Sequence, residues 1–396
     1  MNKKRVVVLG STGSIGQNTL DVINNNVEEY ELIGLSANKN LSLLEEQIRQ
    51  HHPSYVAVTG YEETESNRLR LQFEANVGEY IKKLFWGKFS HLNMVREIEA
   101  EIVVNGIAGA AGLTASVESI KSGKDLALAN KETVVLAGEY IKKLVGESKV
   151  KLLPVDSEHS AVFFLLDFIG KRNVEEIILT ASGGPFRDLD YDSLKRVTVD
   201  DALNHPTWRM GKKITIDSAT MANKGLEVIE AQQLFGFDLE KIRVVIHRES
   251  KIHSFIRTID GVLYAQVSNP DMRMPINNAL SYPRLRAADY GRLDFTNFVL
   301  SFDEVDYRKY RMLKLAYEAA RMGNAYRIVY NAANEVAVSG FVSGRIGFLE
   351  IPVIVERVMD MDWSVESFDL EDILRVDREG RKVAESVCNE LERKRD

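Results

Sequence analysis

The chain has 396 residues, which at about 150 residues per domain predicts two to three domains and a core that needs no disulfide or metal to hold it. Apolar residues make up 45% and charged residues 28%, which excludes a disordered chain, a collagen-like fibre and a disulfide-rich miniprotein. The net charge of −7 argues against a protein that coats nucleic acid, and the single cysteine, Cys388, cannot form a disulfide within the chain. We expect an intracellular protein without a nucleic-acid partner.

The sequence also argues against a membrane segment or a secretory signal. The basic start, Met1 to Arg5, is followed by an apolar run of only Val6 to Leu9, whereas a signal peptide needs about 7–15 apolar residues. The uncharged stretch Ile102–Val117 is too short to span a bilayer and is interrupted by glycines. We expect a cytoplasmic protein without a membrane partner.

The first part of the chain alternates short apolar runs with helical patterns. The apolar runs predict strands at Arg5–Leu9, Tyr30–Ser36, Tyr55–Val58, Glu101–Asn105, Asp125–Ala129 and Val150–Val155. Strands that alternate with helices imply βαβ units and a parallel sheet. This pattern predicts a first domain over residues 1–155, in which residues 62–89 carry no motif and should form a surface connection or a helix pair.

The pattern changes after residue 155. Strands are predicted at Val174–Thr180, Arg243–His247, Ile252–Ile259 and Val262–Val267. Asp260-Gly261 predicts a hairpin between the last two of them. We expect an α+β domain over 156–290, a linker over 291–306 and a helical domain over 307–396, whose first helix spans Tyr307–Met322.

A glycine-rich turn joins the first predicted strand to the first predicted helix. It reads Gly10-Ser11-Thr12-Gly13-Ser14-Ile15-Gly16, with the spacing G-x-x-G-x-x-G rather than G-x-G-x-x-G. Glycines allow a tight turn and the close approach of a pyrophosphate, and the helix N-terminus presents free N–H groups. The alternative is an ordinary strand-to-helix turn rich in small residues. The strand–turn–helix context favours a dinucleotide site.

The residues after the second predicted strand indicate which dinucleotide is bound. An NAD site would place Asp or Glu there, about 20 residues after the glycine turn. The chain instead has Ala37-Asn38-Lys39-Asn40, and a cation suits the 2′-phosphate of NADP. A solvated loop lysine is the alternative. The missing carboxylate favours NADP over NAD, so we expect the first domain to be a Rossmann-like NADP-binding domain.

Two carboxylates follow the last strand predicted in the first domain, in the sequence Asp156-Ser157-Glu158-His159. Ligands bind at the carboxyl ends of parallel strands, and residues two apart in an extended backbone face the same way. Carboxylates select a hard cation such as Mg²⁺ or Mn²⁺ over zinc. The alternative is a helix start capped by Asp156 or Ser157.

A second polar cluster lies on a predicted helix that starts at an N-cap at Asp217-Ser218 and runs to about Leu234. Asn223 and Glu227 are four residues apart and Lys224 is three from Glu227, so the three share one face. Gly225 costs about 1 kcal/mol relative to alanine inside a helix, which makes sense where something approaches closely. The alternative is a solvated face with one ion pair.

Two loops complete the set of candidate sites. The segment from His205 to Gly211 carries Trp208 and Met210 between a proline and a glycine, and predicts a lid over a ligand. The alternative is a loop anchored by a buried tryptophan. The turn Ser182-Gly183-Gly184-Pro185 offers backbone N–H groups and a hydroxyl to an anion, unless it is an ordinary tight turn.

Taken together, these motifs resemble the 1-deoxy-D-xylulose 5-phosphate reductoisomerase family. The matching segments, in the order of the family, are Gly10–Gly16, Ala129–Glu132, Asp156–Ser160, Ala181–Phe186, His205–Glu227, His247–Ser250, Ile252–Ser254, Asn269–Arg273 and Asn331–Glu335. The resemblance implies an enzyme that rearranges and reduces this phosphosugar to 2-C-methyl-D-erythritol 4-phosphate for isoprenoid synthesis, using NADPH and Mg²⁺ or Mn²⁺. The resemblance does not decide whether the rearrangement proceeds by retro-aldol cleavage and rejoining or by a concerted shift.

The resemblance also implies a role for individual residues. The metal ligands would be Asp156, Glu158 and Glu227, and these three with Lys131 and His205 would form the catalytic set. The substrate would contact Lys131, Ser157, Glu158, Ser182, His205, Trp208, Met210, Ser218, Asn223, Lys224 and Glu227. NADPH would contact Thr12, Gly13, Ser14, Ile15, Asn38, Lys39, Asn40, Asn130, Glu132 and Gly211. The catalytic domain would be 156–290, with the lid near 205–211, and the family implies a homodimer.

Some residues remain outside this assignment. His253 and Glu335 are expected beside the site, Arg209 has no assigned role, and Cys388 is expected to be a bystander. Two other classes of protein fit less well. A semialdehyde dehydrogenase needs a cysteine nucleophile in its active domain, and an NADP-binding sensor needs neither the carboxylates nor the phosphate-binding residues.

Overall fold

The computed structural model describes residues 3–62, 66–208, 210–364 and 368–395. The chain forms two compact units, each assembled from separate stretches of sequence. The first unit comprises Met1–Asn130, Ile141–Ser160 and Asp271–Tyr290, and the second comprises Lys131–Tyr140, Ala161–Pro270 and Gly291–Asp396. The domain boundaries expected at residues 155, 290 and 306 remain predictions.

The first unit is built on a parallel sheet. Its strands are β1 (Lys4–Leu9), β2 (Tyr30–Ala37), β3 (Tyr55–Val58), β4 (Lys83–Trp86), β5 (Ile102–Asn105), β6 (Asp125–Leu128) and β7 (Leu152–Pro154). The order β4-β3-β2-β1-β5-β6-β7 is the doubly wound dinucleotide-binding order with β4 added at one edge. Every pair of neighbours is parallel, which confirms the predicted α/β domain.

The helices alternate with these strands and then dominate the end of the chain. In the described residues they are α1 (Ser14–Asn24), α2 (Leu41–His51), α3 (Asn67–Val77), α4 (Ser90–Glu97), α5 (Gly112–Lys121), α6 (Lys131–Ser148), α7 (Ser157–Ile169), α8 (Val199–Leu203), α9 (Lys212–Thr220), α10 (Ala222–Phe235), α11 (Arg273–Ser281), α12 (Arg311–Met322), α13 (Asn324–Val342), α14 (Glu350–Met359) and α15 (Leu370–Arg393). None of these helices is both long and apolar enough to cross a membrane.

β1, the central strand of the parallel sheet, contains a continuous apolar run in which apolar and polar residues do not alternate. Val6 to Leu9 are fully buried, because both faces of β1 are covered. A strand covered on both faces is an uninterrupted apolar run, which is the pattern that predicted it. The expectation for residues 62–89 is wrong in part, because this stretch contains α3 and the edge strand β4. The apolar run in β4 is only Leu84 to Trp86, too short to distinguish a strand from a loop.

The second unit contains a mixed sheet and a helical assembly. Its strands are β8 (Val174–Ala181), β9 (Ile242–Ile246), β10 (Ile252–Thr258) and β11 (Leu263–Val267), in the order β11-β10-β8-β9. β10 runs antiparallel to β8 and β11, whereas β8 and β9 are parallel. The predicted hairpin is confirmed, and Gly261 adopts a φ of +85° in its turn. The α+β prediction for this part of the fold is also confirmed.

Candidate active site

The glycine turn of the first unit has the geometry of a phosphate-binding loop. Gly10 has a φ of +75°, and its amide donates to Ser36 Oγ at the end of β2, 3.1 Å away. A Cβ atom at Gly16 would lie 2.4 Å from the Gly10 carbonyl oxygen, so only glycine lets α1 pack this closely on the turn. α1 begins after Gly13, which has no side chain to cap the helix. Its first N–H groups are therefore suited to an anion.

The segment after β2 is exposed, as a site for the adenosine end of a dinucleotide requires. Asn38, Lys39 and Asn40 all lie at the surface. Asn40 also caps α2, because its side chain accepts a hydrogen bond from Leu43 N at 3.3 Å. A Cβ atom at Gly60 would lie 2.4 Å from Asn38 Oδ1, so this glycine makes room for the segment.

Two buried asparagines hold the loop that follows β5. Asn130 donates to the carbonyl oxygens of Ile107 and Gly109, both at 2.8 Å. Asn105 donates to the Gly112 carbonyl oxygen at 2.9 Å and accepts from Ile107 N at 3.1 Å. Asn130 was predicted from the resemblance. Asn105 was missed, although a polar residue at the end of a buried strand is a usable signal.

The acidic motif after β7 forms its own hydrogen-bonded group. Asp156 Oδ1 accepts from Glu158 N at 3.2 Å and from Nδ1 of the fully buried His159 at 3.1 Å. Ser157 Oγ donates to Glu158 Oε2 at 2.6 Å. Asp156 therefore caps α7, as the alternative interpretation expected, and its carboxylate is also oriented by His159. No role had been assigned to His159.

A buried ionic cluster surrounds Glu227 in the second unit. Lys131 Nζ lies 2.9 Å from Glu227 Oε1 and 2.9 Å from Asn223 Oδ1. Lys224 pairs with the other oxygen of Glu227, and Asn223 donates to Glu227 Oε1 at 2.5 Å. Lys131, Lys224 and Glu227 are each no more than 5% exposed. A carboxylate this buried is tolerated only because cations and donors surround it.

The helix that carries this cluster does not start where the sequence indicated. Asp217 and Ser218 lie inside α9, so the predicted N-cap is wrong. Met221 separates α9 from α10 with a left-handed φ of +58°, a conformation that its residue type does not signal. The close approach at Gly225 comes from helices, because a Cβ atom there would lie 2.6 Å from Ala316 Cβ and 2.8 Å from the Tyr330 hydroxyl.

Two serines and a histidine converge in the second unit. His205 Nε2 lies 3.1 Å from Ser182 Oγ and 3.1 Å from Ser218 Oγ. Its Nδ1 accepts from the backbone N–H groups of Thr207 and Trp208 at 3.1 and 2.9 Å, so the proton of the neutral ring is on Nε2. Burial, helped by the charge of Arg187, lowers the pKa of His205 to about 4. The cluster therefore presents three neutral donors at neutral pH.

The predicted lid is attached to this cluster through His205. Trp208 and Met210 are half-buried, and Arg209 lies outside the described residues. The Trp208 ring lies 6.4 Å, centroid to centroid, from the ring of His253. His253 is 2% exposed, and its Nε2 has no hydrogen-bond partner among the residues that the structure describes.

Three other predicted residues lie along α6, α9 and α13. Glu132 accepts from Lys213 Nζ at 3.0 Å, and this lysine also pairs with the buried Asp217 at 2.8 Å. Gly211 is the N-cap of α9. Glu335 pairs with Arg381 at 2.7 Å. The structure thus places Glu132 and Glu335 in ion pairs of the second unit, and their expected roles at the site remain predictions.

The fold and these clusters define a class of protein. The doubly wound sheet with a glycine turn at the end of β1 is that of a dinucleotide-binding α/β protein. The acidic group after β7, the buried lysines beside Glu227 and the neutral donors of Ser182, Ser218 and His205 are ionisable and polar groups of the kinds found in enzyme active sites, beyond those that nucleotide binding requires.

Comparisons with known proteins agree on one family. The 1-deoxy-D-xylulose 5-phosphate reductoisomerase family model matches residues 6–138, and two models of the C-terminal domains of this enzyme match residues 152–235 and 267–383. The reductoisomerase of Prosthecochloris aestuarii is 47% identical over 97% of this chain and 99% of its own length. That of Caldanaerobacter subterraneus is 48% identical over 96% of this chain and 98% of its own.

Solved structures show the same likeness in three dimensions. The Zymomonas mobilis reductoisomerase in complex with NADPH is 38% identical, with a TM-score of 0.89, over 98% of this chain and all of its own. A reductoisomerase in complex with NADPH, fosmidomycin and magnesium is 33% identical, with a TM-score of 0.89, over 97% of this chain and 98% of its own. The chain belongs to the 1-deoxy-D-xylulose 5-phosphate reductoisomerase family, which confirms the resemblance and the fold class.

Proposed function

We propose that this chain converts 1-deoxy-D-xylulose 5-phosphate to 2-C-methyl-D-erythritol 4-phosphate, with the residues of the clusters described above. Identity of 47% over 97% of the chain to a reductoisomerase is the observation that carries the reaction. The chain is an NADP-dependent oxidoreductase with an isomerase step, and it uses NADPH and a divalent metal. This function excludes the semialdehyde dehydrogenase and the sensor.

The nucleotide is assigned to the first unit. The turn from Gly10 to Gly16 and the N-terminus of α1 bind the pyrophosphate through backbone N–H groups, and Lys39 neutralises the 2′-phosphate. Asn130 keeps the loop after β5 in place beside the nucleotide. The remaining contacts are assigned to Thr12, Gly13, Ser14, Ile15, Asn38, Asn40, Glu132 and Gly211. Bound NADPH supplies the hydride that reduces the rearranged carbonyl.

The metal is assigned to Asp156, Glu158 and Glu227. An all-carboxylate donor set suits Mg²⁺ or Mn²⁺. Glu227 is 1% exposed, and its carboxylate pairs with the ammonium groups of Lys131 and Lys224. The site is therefore one in which a buried carboxylate binds cations. Asp156 is oriented by His159, as ligands commonly are by a neighbouring donor. A bound divalent cation polarises the ketone and hydroxyl oxygens of the substrate.

The phosphate of the substrate is assigned to the cluster around His205. Ser182 and Ser218 offer hydroxyl groups, and His205 offers its Nε2–H group from a ring that stays neutral at neutral pH. Asn223 and Lys224 extend this set from α10. The neutral donors of Ser182, Ser218 and His205 bind the anion without burying further charges beside Lys224.

The remaining residues orient and enclose the substrate. Lys131 donates to Asn223 and Glu227 here, and its ammonium group holds the hydroxyl groups of the substrate near the metal. Ser157 contacts the substrate from the start of α7. Trp208 and Met210 cover the substrate and keep water from the reactive intermediate.

The assembly is assigned as a cytoplasmic homodimer. β11 lies at the edge of its sheet, and three of its five residues are exposed, with Leu263 at 46%, Tyr264 at 39% and Val267 at 45%. An exposed apolar edge strand is a site for pairing with another chain, and a second copy supplies the same edge.

Replacing Glu227 tests the assignment of the metal. Glu227→Gln should reduce turnover on the order of 10³-fold and weaken Mn²⁺ binding, measured by electron paramagnetic resonance, because it removes one of three anionic ligands. NADPH binding, measured by fluorescence, should be unchanged. Glu139→Gln is the matched control, because this carboxylate is 67% exposed on α6. A Glu227→Gln enzyme with normal turnover and Mn²⁺ binding would contradict the assignment.

A further inference from the structure

The backbone carbonyl groups of the turn that follows β8 accept hydrogen bonds from two side chains. Gly183 and Gly184 have φ values of +79° and +68°. The carbonyl oxygen of Ser182 accepts from Arg187 Nη1 at 3.2 Å, and that of Gly183 accepts from the hydroxyl of Tyr310 at 2.8 Å. Neither Arg187 nor Tyr310 belongs to the predicted site.

These two hydrogen bonds determine where the N–H groups of the turn point. In a trans peptide the N–H group points away from the carbonyl oxygen. The amides of Gly183 and Gly184 therefore point away from Arg187 and Tyr310, and Gly184 N donates to Ser182 Oγ at 3.2 Å. Successive backbone N–H groups of a turn can form a concave anion-binding surface. The turn thus presents the Gly184 amide on the side of the serine hydroxyl.

Tyr310 is a fixed anchor for this turn. It is 4% exposed and directly precedes α12. Burial raises the pKa of Tyr310, so its hydroxyl keeps the proton that it donates. The neighbouring Lys309 donates to the carbonyl oxygens of Arg187 and Leu189 at 2.8 and 2.6 Å, which fixes the next residues of the chain as well.

Arg187 brings a positive charge next to Ser182, Ser218 and His205, whose own donors are neutral. Its side chain is 21% exposed, and its Nη1 also donates to the Arg248 carbonyl oxygen at 3.2 Å. Its carboxylate neighbour is Asp188, 3.6 Å away and 67% exposed, which also pairs with the side chain of Arg248. The charge of Arg187 reaches His205, where it adds to the effect of burial in lowering the pKa.

We propose that Arg187 and Tyr310 are positioning residues for the substrate phosphate, which hold the turn at Gly183-Gly184 and, through Arg187, favour a dianionic phosphoester over a less charged group. Neither residue touches the phosphate. This inference rests on the phosphate site of the proposed function.

Kinetic constants of matched variants test the proposal. Arg187→Gln should raise KM for the substrate, and the inhibition constant of inorganic phosphate, about tenfold with kcat within about threefold, because it weakens binding without touching the reacting atoms. Arg187→Lys should recover part of the loss through its charge. Arg243→Gln, an exposed arginine on β9, is the control and should leave both constants unchanged.

The tyrosine has an equally close control. Tyr310→Phe should raise KM by about threefold to tenfold, since one hydrogen bond to the turn is lost. Tyr317→Phe removes a hydroxyl that donates to the Ile242 carbonyl oxygen at the same 2.8 Å, and should leave KM unchanged.

A spectroscopic measurement separates the charge from a merely structural role. In Arg187→Gln the pKa of His205, followed by nuclear magnetic resonance of its imidazole, should rise but stay below its ordinary value, because burial, the larger cause of the shift, remains. An unchanged KM and an unchanged His205 titration in folded Arg187→Gln would overturn the proposal. If Ser182→Ala and Ser218→Ala raise KM while Arg187→Gln and Tyr310→Phe do not, only this inference fails. If the serine variants also leave KM unchanged, the phosphate site itself fails.

Discussion

At the scale of single residues, burial keeps several histidines neutral. Burial lowers the pKa of His91, His205 and His253 to about 4 each. For His205 this neutrality suits the proposed phosphate site, because the ring donates through Nε2 without adding a titrating charge there. For His91, in the first unit, the same shift affects only stability.

The shift predicts how stability depends on pH. In the unfolded chain these histidines titrate near 6.5, so between pH 6.5 and 4 the unfolded state binds more protons. Stability should be intact above about pH 6.5 and should fall as the pH drops toward 4. Urea denaturation midpoints at pH 7.5 and 5 measure this difference, which should be smaller in His91→Gln. Equal pH dependence in the variant and the unaltered protein would contradict the role of His91.

At the scale of elements, the helices, strands and turns that depend on a local residue pattern could be predicted from the sequence. The continuous apolar run of β1, the hairpin at Asp260-Gly261 and the shared face of Asn223, Lys224 and Glu227 all follow from period and spacing. The break at Met221 was missed because nothing in a methionine signals a left-handed conformation. Long-range partners, such as Lys131 for Glu227, needed the fold.

The glycine turn offers a prediction with an internal control. Gly16→Ala should abolish measurable NADPH binding and lower the free energy of unfolding by about 1–3 kcal/mol, because its Cβ atom would strike the backbone of Gly10 and Ser11. Gly146→Ala, exposed on α6 with nothing near the added atom, should leave NADPH binding unchanged and stabilise the protein by about 0.5–1 kcal/mol. Fluorescence titration and urea unfolding measure the two effects. Normal NADPH binding in Gly16→Ala would show that the turn is not the pyrophosphate site.

At the scale of the whole molecule, the exposed edge of the mixed sheet carries the prediction of a dimer. Charged residues protect edge strands from pairing, and the outer strand β11 has none among its residues Leu263–Val267. A second copy that pairs along this edge would cover apolar side chains that single chains leave in water.

Sedimentation measurements test this surface. The unaltered protein should sediment as a dimer and the double variant Leu263→Lys, Tyr264→Lys as a monomer at the same concentration, because lysines on an edge strand oppose pairing. Phe168→Lys replaces a residue that is 85% exposed and should leave the dimer intact. A double variant that remains dimeric would place the interface elsewhere.

The proposed roles of the site residues all depend on one activity, the metal-dependent reduction of 1-deoxy-D-xylulose 5-phosphate. The most direct test follows NADPH absorbance with purified protein and this substrate, first with Mg²⁺ and then with excess chelator. NADPH should be consumed with Mg²⁺ but not with the chelator, and not by Glu227→Gln, which should still bind NADPH. Binding of NADPH without turnover, with either Mg²⁺ or Mn²⁺, would contradict it.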